Sequence, residues 1–231
     1  MRRSSTPLVV FTDNFPFDTG EEFFEQEIDY LAQHFERVWV VPLRLPPGAR
    51  KTRRLPRGVT AVLLPLHDGR SWKRRLPRQL PRLLLGPGRV EPPGTGCGLM
   101  TAVGELHYAS DVLHRFEAFT RTRLYHETLA GRPFVAYGYW LYHGAGLAQM
   151  LRAAHGAPVA AVARAHAYDV DEADAPGGHL PGRRRLVGGL DEIYPISRYA
   201  RSFLLPHLDS GNAARVTVRH LGVPEIGRAH V

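Results

Sequence analysis

The chain has 231 residues, which is enough for one large α/β domain or two small ones with a full hydrophobic core. Its formal net charge is +8, and nearly all the basic residues are arginines, since lysine occurs only at Lys51 and Lys73. A basic surface can meet nucleic acid, anionic lipid or phosphorylated substrates, but GC-rich coding and a solvated surface explain it equally well. The single cysteine, Cys97, excludes an internal disulfide and a metal cluster built on cysteines.

Apolar runs are short throughout the chain. The run at residues 8–11 falls well below the ~7–15 apolar residues of a signal-peptide core. No stretch approaches the ~20 apolar residues that a membrane-spanning helix needs. We therefore expect a cytoplasmic protein.

The first elements form a strand–loop–helix–strand unit. The unbroken apolar run at residues 7–12 predicts a strand of a parallel sheet. Apolar residues at helical spacing then predict an amphipathic helix over residues 21–34, whose stripe is interrupted only by Glu27. Glu21 is expected in the first turn, where a negative charge suits the helix dipole. Residues 37–42 predict the second strand.

Gly20 stands where the loop meets this helix. Such a glycine is usually a simple turn, but backbone amides at a helix N-terminus can also hold a phosphate. The loop lacks a full G-x-G-x-x-G pattern, so a dinucleotide site, and with it a nicotinamide oxidoreductase, is poorly supported.

Residues 43–98 are expected to be irregular, with a third strand at residues 58–64 and a turn region at residues 86–98. Residues 73–85 form a basic, leucine-bearing segment that we expect prolines to interrupt. This segment can contact an anionic membrane peripherally, at the inner face of the cell membrane, or it can be an ordinary solvated helix face.

The remaining chain alternates between helical and strand patterns, which predicts a three-layer α/β domain with a mostly parallel sheet. Residues 183–185 are three arginines that we expect on a solvated helix face, and Ser197 is expected to cap a helix. The helices are predicted at residues 99–129, 145–155, 180–189 and 198–207, and the strands at residues 133–137, 158–163, 192–196 and 215–219.

Polar side chains gather after the fifth predicted strand: Arg164, His166 and Asp169 follow the apolar run 158–163. In open parallel sheets, ligand crevices lie beyond the carboxyl ends of the strands, so these residues predict one wall of such a crevice. An aromatic segment at residues 137–143 follows the fourth strand. Its rings suit either a packed core or a stacking surface for sugars.

Four stretches together resemble the N-terminal domain of bacterial family 4 glycosyltransferases, which have the two-domain GT-B fold. The resemblance spans most of residues 7–223, is weaker over residues 43–98, and departs from the usual pattern at Ala167, where relatives have glycine. The four stretches are FPFDTGEEFFEQEI at 15–28, YGYW at 137–140, RAHAYD at 164–169, and DEIYPIS at 191–197 leading to HLGV at 220–223.

The resemblance implies a Rossmann-like domain that forms the acceptor side of a retaining, hexosyltransferase-like enzyme. Such an enzyme moves a sugar from a nucleotide-sugar donor to a saccharide or lipid-linked acceptor, and we expect no metal, no other cofactor and no nucleic-acid partner. The resemblance places Gly20 near the donor diphosphate and His166 near the donor sugar, as the candidate catalytic residue that stabilises charge during transfer. A structural histidine is the alternative for His166. The candidate substrate-binding residues are Gly20, Glu21, Tyr139, Arg164 and Asp169.

Two further expectations concern the extent of the chain. The string at residues 225–231 resembles the translation of a sequencing-library adapter, so we expect native sequence over residues 1–224 and a missing C-terminal domain that grips the nucleotide. Without that domain, the chain should not catalyse transfer alone. The alternative function is a stand-alone basic module that binds an anionic ligand or polymer through the arginines of residues 50–54, 73–82 and 183–185, although no nucleic-acid-binding motif is present.

Overall fold

The computed structural model of the protein describes residues 3–46, 48–66, 71–86, 98–156, 158–175, 178–208 and 215–221. Within these residues, six parallel strands form one sheet in the order β3-β2-β1-β4-β5-β6. This is the strand order of the doubly wound Rossmann fold, and the order reverses between β1 and β4. The strands are β1 (Leu8–Thr12), β2 (Val38–Pro42), β3 (Val59–Ala61), β4 (Phe134–Gly138), β5 (Val159–Ala165) and β6 (Glu192–Pro195).

Helices cover both faces of the sheet, so the predicted three-layer α/β architecture with a parallel sheet is confirmed. Along β1, Leu8 and Val10 face α1, whereas Val9 and Phe11 face the other helices, as the two-residue period of a strand requires. No helix in the described ranges is both long and apolar enough to cross a bilayer. The helices are α1 (Glu22–His34), α2 (Trp72–Leu85), α3 (Leu99–Thr120), α4 (His143–His155), α5 (Arg183–Gly189) and α6 (Arg198–Leu204).

Two glycines let α4 begin directly against the end of β4. A Cβ atom on Gly138 would lie 2.4 Å from the backbone nitrogen of Ala145, and one on Gly144 would lie 3.0 Å from the carbonyl oxygen of Phe11. Only residues without a side chain permit this approach. The close packing fixes residues 139–142 at the carboxyl edge of the sheet.

The expectation that prolines interrupt residues 73–85 was wrong. Helix α2 runs through Pro77 and Pro81, although each removes a helical hydrogen bond. Packing against α3 compensates, because Gln79 and Leu83 are buried and Ser110 Oγ donates a hydrogen bond to Gln79 Oε1 at 2.5 Å. Residues 87–97 of the predicted turn region lie outside the described residues, as do residues 225–231 of the suspected tail.

Several predicted boundaries were too long. The third strand spans only Val59–Ala61, and the helix predicted to reach residue 129 ends at Thr120. There, Thr122 Oγ1 donates to the Phe119 carbonyl and accepts from the Tyr125 amide, so its side chain competes with the helical backbone pattern. A single π turn, Tyr125–Leu129, follows.

The C-terminal elements match their predictions in part. Ser197 caps α6 as predicted, since its Oγ accepts a hydrogen bond from the Ala200 amide at 3.0 Å. Helix α6 ends at Leu204 and continues as a 3-10 turn, Leu205–His207. The strand predicted at residues 215–219 is reduced to a single parallel bridge between Ile193 and Val216.

Candidate functional site

The carboxyl ends of β1, β4 and β5 meet where the strand order reverses. Phe11 is in register with Gly138, and Gly138 with Ala163, so the residues that follow these three strands converge. This is the position at which open α/β sheets hold their ligands. Residues from the predicted strand-end cluster and the predicted aromatic segment therefore occupy one edge of the fold.

An aromatic group surrounds His166 at this edge. The imidazole centroid lies 4.1 Å from the Trp140 ring and 5.1 Å from the Tyr139 ring. Tyr139 is fully buried, and burial followed by nearby Glu27 raises the pKa of its hydroxyl. Tyr168 lies 4.9 Å from Trp140 and is 56% exposed, so it extends the aromatic surface towards solvent.

His166 itself is buried, with 6% of its surface exposed. Its Nδ1 atom faces Asp169 Oδ2 at 3.6 Å, which is longer than a hydrogen bond. Its Nε2 atom is buried and has no hydrogen-bond partner among the described residues. Most buried polar atoms are hydrogen-bonded, so an imidazole in this state needs an explanation.

Asp169 holds two loops together. Its Oδ1 accepts a hydrogen bond from the His166 amide at 2.7 Å, and its Oδ2 accepts one from the Leu141 amide at 2.9 Å. The carboxylate thereby joins the loop after β5 to the loop after β4. Its carbonyl accepts a hydrogen bond from Arg183. Arg183 was expected on a solvated helix face, but its side chain is buried. Burial lowers the pKa of Arg183.

Ala167, the departure from the glycine of the family pattern, starts the 3-10 turn Ala167–Asp169. Among the described non-glycine residues, positive φ angles occur only at Asp18 and Glu21. The turn at residue 167 therefore needs no glycine, and alanine fits it.

Glu21 organises the loop between β1 and α1 instead of lying in the first turn of the helix. It has a left-handed backbone (φ 56°) and is 9% exposed. Its Oε1 accepts hydrogen bonds from the Asp13 amide and from Trp140 Nε1, at 2.8 and 2.7 Å. Its Oε2 accepts from the amides of Asn14 and Phe15, at 2.9 and 2.7 Å.

Gly20 also adopts positive φ, at 97°. Its amide donates a hydrogen bond to Glu22 Oε1 at 2.9 Å. The amides of Glu22 and Gly20 together lower the pKa of the Glu22 carboxyl. The loop amides that could receive a phosphate thus meet carboxylates from Glu21 and Glu22, so a phosphate could reach Gly20 only after the exposed Glu22 side chain moves away.

Arg164 lies apart from the His166 group, in a buried network beneath α1. Its guanidinium forms an ion pair with Glu27 Oε2 at 2.9 Å, and its Nε donates to the Tyr137 hydroxyl at 3.1 Å. The Tyr137 hydroxyl donates to Glu27 Oε1 at 2.6 Å. Burial would lower the pKa of Arg164, but Tyr137 and Glu27 outweigh it and raise the pKa.

Sequence reasoning missed Glu27 as the partner of Arg164. The signal was a carboxylate that interrupts the apolar stripe of α1, together with an arginine at the end of an apolar strand. A charged residue on a buried helix face requires a partner of opposite charge. The two residues are far apart in the sequence, but the fold places α1 over β4 and β5 and so brings their side chains together.

A second polar group, also missed, lies beyond β2. Arg44 pairs with Asp13 at 3.2 Å, and Arg115 donates to the Leu43 carbonyl at 3.3 Å. Arg44 and Arg115 line a pocket of about 610 Å³, within the usual size range of ligand pockets. Burial raises the pKa of Asp13, and Arg44 partly offsets this effect.

His143, the first residue of α4, lies beside this second group. Its Nε2 is 4.0 Å from Asp111 Oδ2, and its ring stacks on Tyr108 at 5.5 Å. Burial, followed by the positive charges of Arg115 and Arg44, lowers the pKa of His143 well below its ordinary value. The imidazole is therefore neutral at neutral pH.

No family model matches the chain. No curated protein matches it either. In the described part of the chain, no group of three or more His, Cys, Asp or Glu side chains is arranged to hold a metal ion.

The site offers an unpartnered imidazole nitrogen beside a partly exposed aromatic surface, held by two buried carboxylates. Such an arrangement can stack on an apolar ring face and form a hydrogen bond to a hydroxyl group. Of the predicted residues, His166, Asp169, Tyr139 and Glu21 come together around Trp140, whereas Arg164 lies in the network beneath α1 and Gly20 at the margin of the loop.

Proposed function

We propose that this domain is the acceptor-side half of a glycosyltransferase that moves a sugar from a nucleotide-sugar donor to a saccharide or lipid-linked acceptor. The observation that supports it most is the buried His166, whose Nε2 has no partner among the described residues. It lies against Trp140 at the ligand-binding edge of a sheet with Rossmann strand order. The motif resemblance at residues 15–28 and 164–169 supports the same conclusion.

In this proposal, His166 meets the sugar. Neither ring nitrogen of His166 has a hydrogen-bond partner among the described residues, and both are covered by neighbouring side chains. In this proposal a small movement of the aromatic side chains around the imidazole exposes Nε2, which then contacts a sugar hydroxyl. Trp140 and Tyr168 provide aromatic faces against which the apolar face of a sugar ring can stack. Departure of a nucleoside diphosphate builds up negative charge, and fixed donors near that charge lower the barrier.

Asp169 and Glu21 are positioning residues in this mechanism. Asp169 fixes the backbone of His166, and Glu21 fixes the indole of Trp140 through its Nε1 hydrogen bond. A constellation that is held rigidly before the substrate arrives loses less entropy on binding. In this proposal, the donor nucleotide is held by a second domain that faces this edge.

Peripheral contact with an anionic membrane belongs to the same proposal. Exposed leucines along α2 support it: Leu80, Leu84 and Leu85 are 39%, 58% and 88% exposed, and Lys73 lies on the same helix. Apolar side chains next to basic ones suit the boundary between headgroups and acyl chains. The cytoplasmic face of the cell membrane is the proposed location.

Two experiments test the transferase proposal. Sequencing the locus beyond codon 224 should reveal a continuing reading frame for a second Rossmann-like domain, whereas a stop codon at residue 231 would favour the stand-alone binding module. In the two-domain protein, His166→Phe should abolish sugar transfer, while urea unfolding shows equal or greater stability because an unpartnered buried nitrogen has been removed. Transfer that persists in His166→Phe would make His166 a structural residue.

A further inference from the structure

A second concave surface lies between α2 and α3, on the helical layer of the fold. It encloses about 420 Å³, a volume within the usual range for ligand pockets. Five arginines line it, four from α2 and one just after α3: Arg74, Arg75, Arg78, Arg82 and Arg121. We refer to this surface as the arginine cleft.

The arginine cleft has more positive than negative charge. Arg75 pairs with Asp111 at 2.5 Å, and Arg82 pairs with Glu117 at 2.5 Å. Arg74, Arg78 and Arg121 are exposed and form no ion pair within the described residues. A surplus of guanidinium groups therefore faces one concavity.

The spacing of the arginines works against helix stability. Arg74, Arg78 and Arg82 follow one another at intervals of four residues, so their side chains lie on one face of α2 and repel each other. An ordinary solvated helix face gains stability when residues four apart carry opposite charges. Like charges at a spacing that destabilises the helix are typical of positions that have a binding function.

The walls of the arginine cleft are fixed to each other. Gln79 and Ser110 are buried and exchange two hydrogen bonds, at 2.5 and 3.3 Å, across the floor between α2 and α3. At one end, the Trp72 ring stacks on His107 with a centroid separation of 5.1 Å. The arginines therefore extend from a rigid base, which reduces the cost of assembling them around a ligand.

We propose that the arginine cleft binds a phosphate-bearing group, such as a diphosphate or the phosphomonoester headgroup of a lipid. Guanidinium groups match phosphate oxygens with paired hydrogen bonds, and several arginines around one phosphate give both charge and geometry. The cleft shares no lining residue with the His166 site. The inference therefore stands whether or not the transferase proposal holds.

The test compares two variants of the 231-residue chain that lose the same charge. Arg74→Ala/Arg78→Ala removes two arginines of the cleft, and Arg54→Ala/Arg57→Ala removes two exposed arginines of the loop before β3. Calorimetric titration with inorganic pyrophosphate should show about tenfold weaker binding for the cleft variant and an affinity close to wild type for the loop variant. Circular dichroism confirms that each variant is folded, and relief of repulsion should leave α2 intact.

Vesicle sedimentation distinguishes the two sources of phosphate. If a lipid headgroup is the ligand, vesicles containing phosphatidic acid should retain the wild-type chain but not the cleft variant, and pyrophosphate should release it. If a soluble phosphate compound is the ligand, pyrophosphate should bind in the titration while these vesicles and pure phosphatidylcholine vesicles retain equally little. Absence of pyrophosphate binding by the wild-type chain, or equal loss in both double variants, would overturn the proposal.

Discussion

Replacement of Glu21 by glutamine should destabilise the protein far more than the loss of one surface charge. The Glu21 carboxylate accepts four hydrogen bonds, two at each oxygen, and it is 9% exposed. The glutamine amide can keep one oxygen facing two donors, but its NH₂ group must then face the other two. Only a carboxylate offers two acceptor oxygens, one for each pair of donors, because the donors are three backbone amides and an indole NH.

The size of the effect follows from the bonds lost. Hydrogen bonds to charged groups contribute about 1.5–3 kcal/mol each, and solvent can reach some of the freed amides, so the loss of two should cost about 2–4 kcal/mol. Glu22→Gln is the matched control. That side chain is exposed, and its contacts with the Gly20 amide, its own amide and Arg53 are screened by solvent, so its replacement should cost much less stability than that of Glu21.

Urea unfolding followed by far-ultraviolet circular dichroism measures both variants, and near-ultraviolet dichroism reports the packing of Trp140. In Glu21→Gln the near-ultraviolet signal should weaken even where the protein remains folded, if the glutamine oxygen faces the Asn14 and Phe15 amides and its NH₂ group replaces the acceptor of the Trp140 Nε1 proton. If Glu21→Gln and Glu22→Gln unfold at the same urea concentration, the four hydrogen bonds do not hold the loop and the reasoning fails.

Two further predictions test the buried charges elsewhere. Glu27→Ala should cost about 3–5 kcal/mol, because it leaves the largely buried Arg164 without its negatively charged partner and the buried Tyr137 hydroxyl without its acceptor. Glu27→Leu combined with Arg164→Met should recover most of this loss in urea unfolding, and additive effects of the two substitutions would contradict the prediction. The pKa of folded His143 is well below its ordinary value of about 6.5. As the pH is lowered through about 6.5, the unfolded chain therefore takes up a proton at His143 while the folded chain does not, and the free energy of unfolding should fall by at most about 1.4 kcal/mol per pH unit. His143→Gln should flatten this dependence more than His207→Gln, whose imidazole is only half-buried; equal slopes in wild type and His143→Gln would refute the assignment.

The parallel sheet could be predicted because its strands correspond to unbroken apolar runs that alternate with helical patterns. The carboxyl-edge position of His166 and Asp169 followed from the end of one such run. A helix face over residues 73–85 was one of the predicted alternatives, but its continuity through Pro77 and Pro81 was not predicted, because it depends on the packing of Gln79 against Ser110. Local sequence patterns predict local backbone conformation, and tertiary packing overrides local propensity where the two conflict.

The roles of individual polar residues were harder to predict than their location. Glu21 looked like a helix-dipole carboxylate, yet its left-handed backbone directs it back onto the loop and towards Trp140. The Glu27–Arg164 pair depends on the strand order, which places α1 over β4 and β5. The strand order cannot be predicted from any single segment of the sequence, because it depends on how the crossover connections arrange the strands.

Hydrogen-bond satisfaction distinguishes His166 from Arg164, Glu27 and Asp169 at this edge, although Nε and Nη1 of the buried Arg183 also lack partners among the described residues. Arg164 and Glu27 are largely buried charges, with side chains 11% and 15% exposed, but each has its partners, so their burial is accounted for within the fold. Asp169 likewise uses both oxygens on backbone amides. His166 is also buried, yet neither of its ring nitrogens has a partner in the described part of the chain, so folding leaves the desolvation of the imidazole uncompensated. A ligand hydroxyl at Nε2 would restore the missing hydrogen bond, and for that reason His166, rather than its charged neighbours, is the residue on which the proposed chemistry depends.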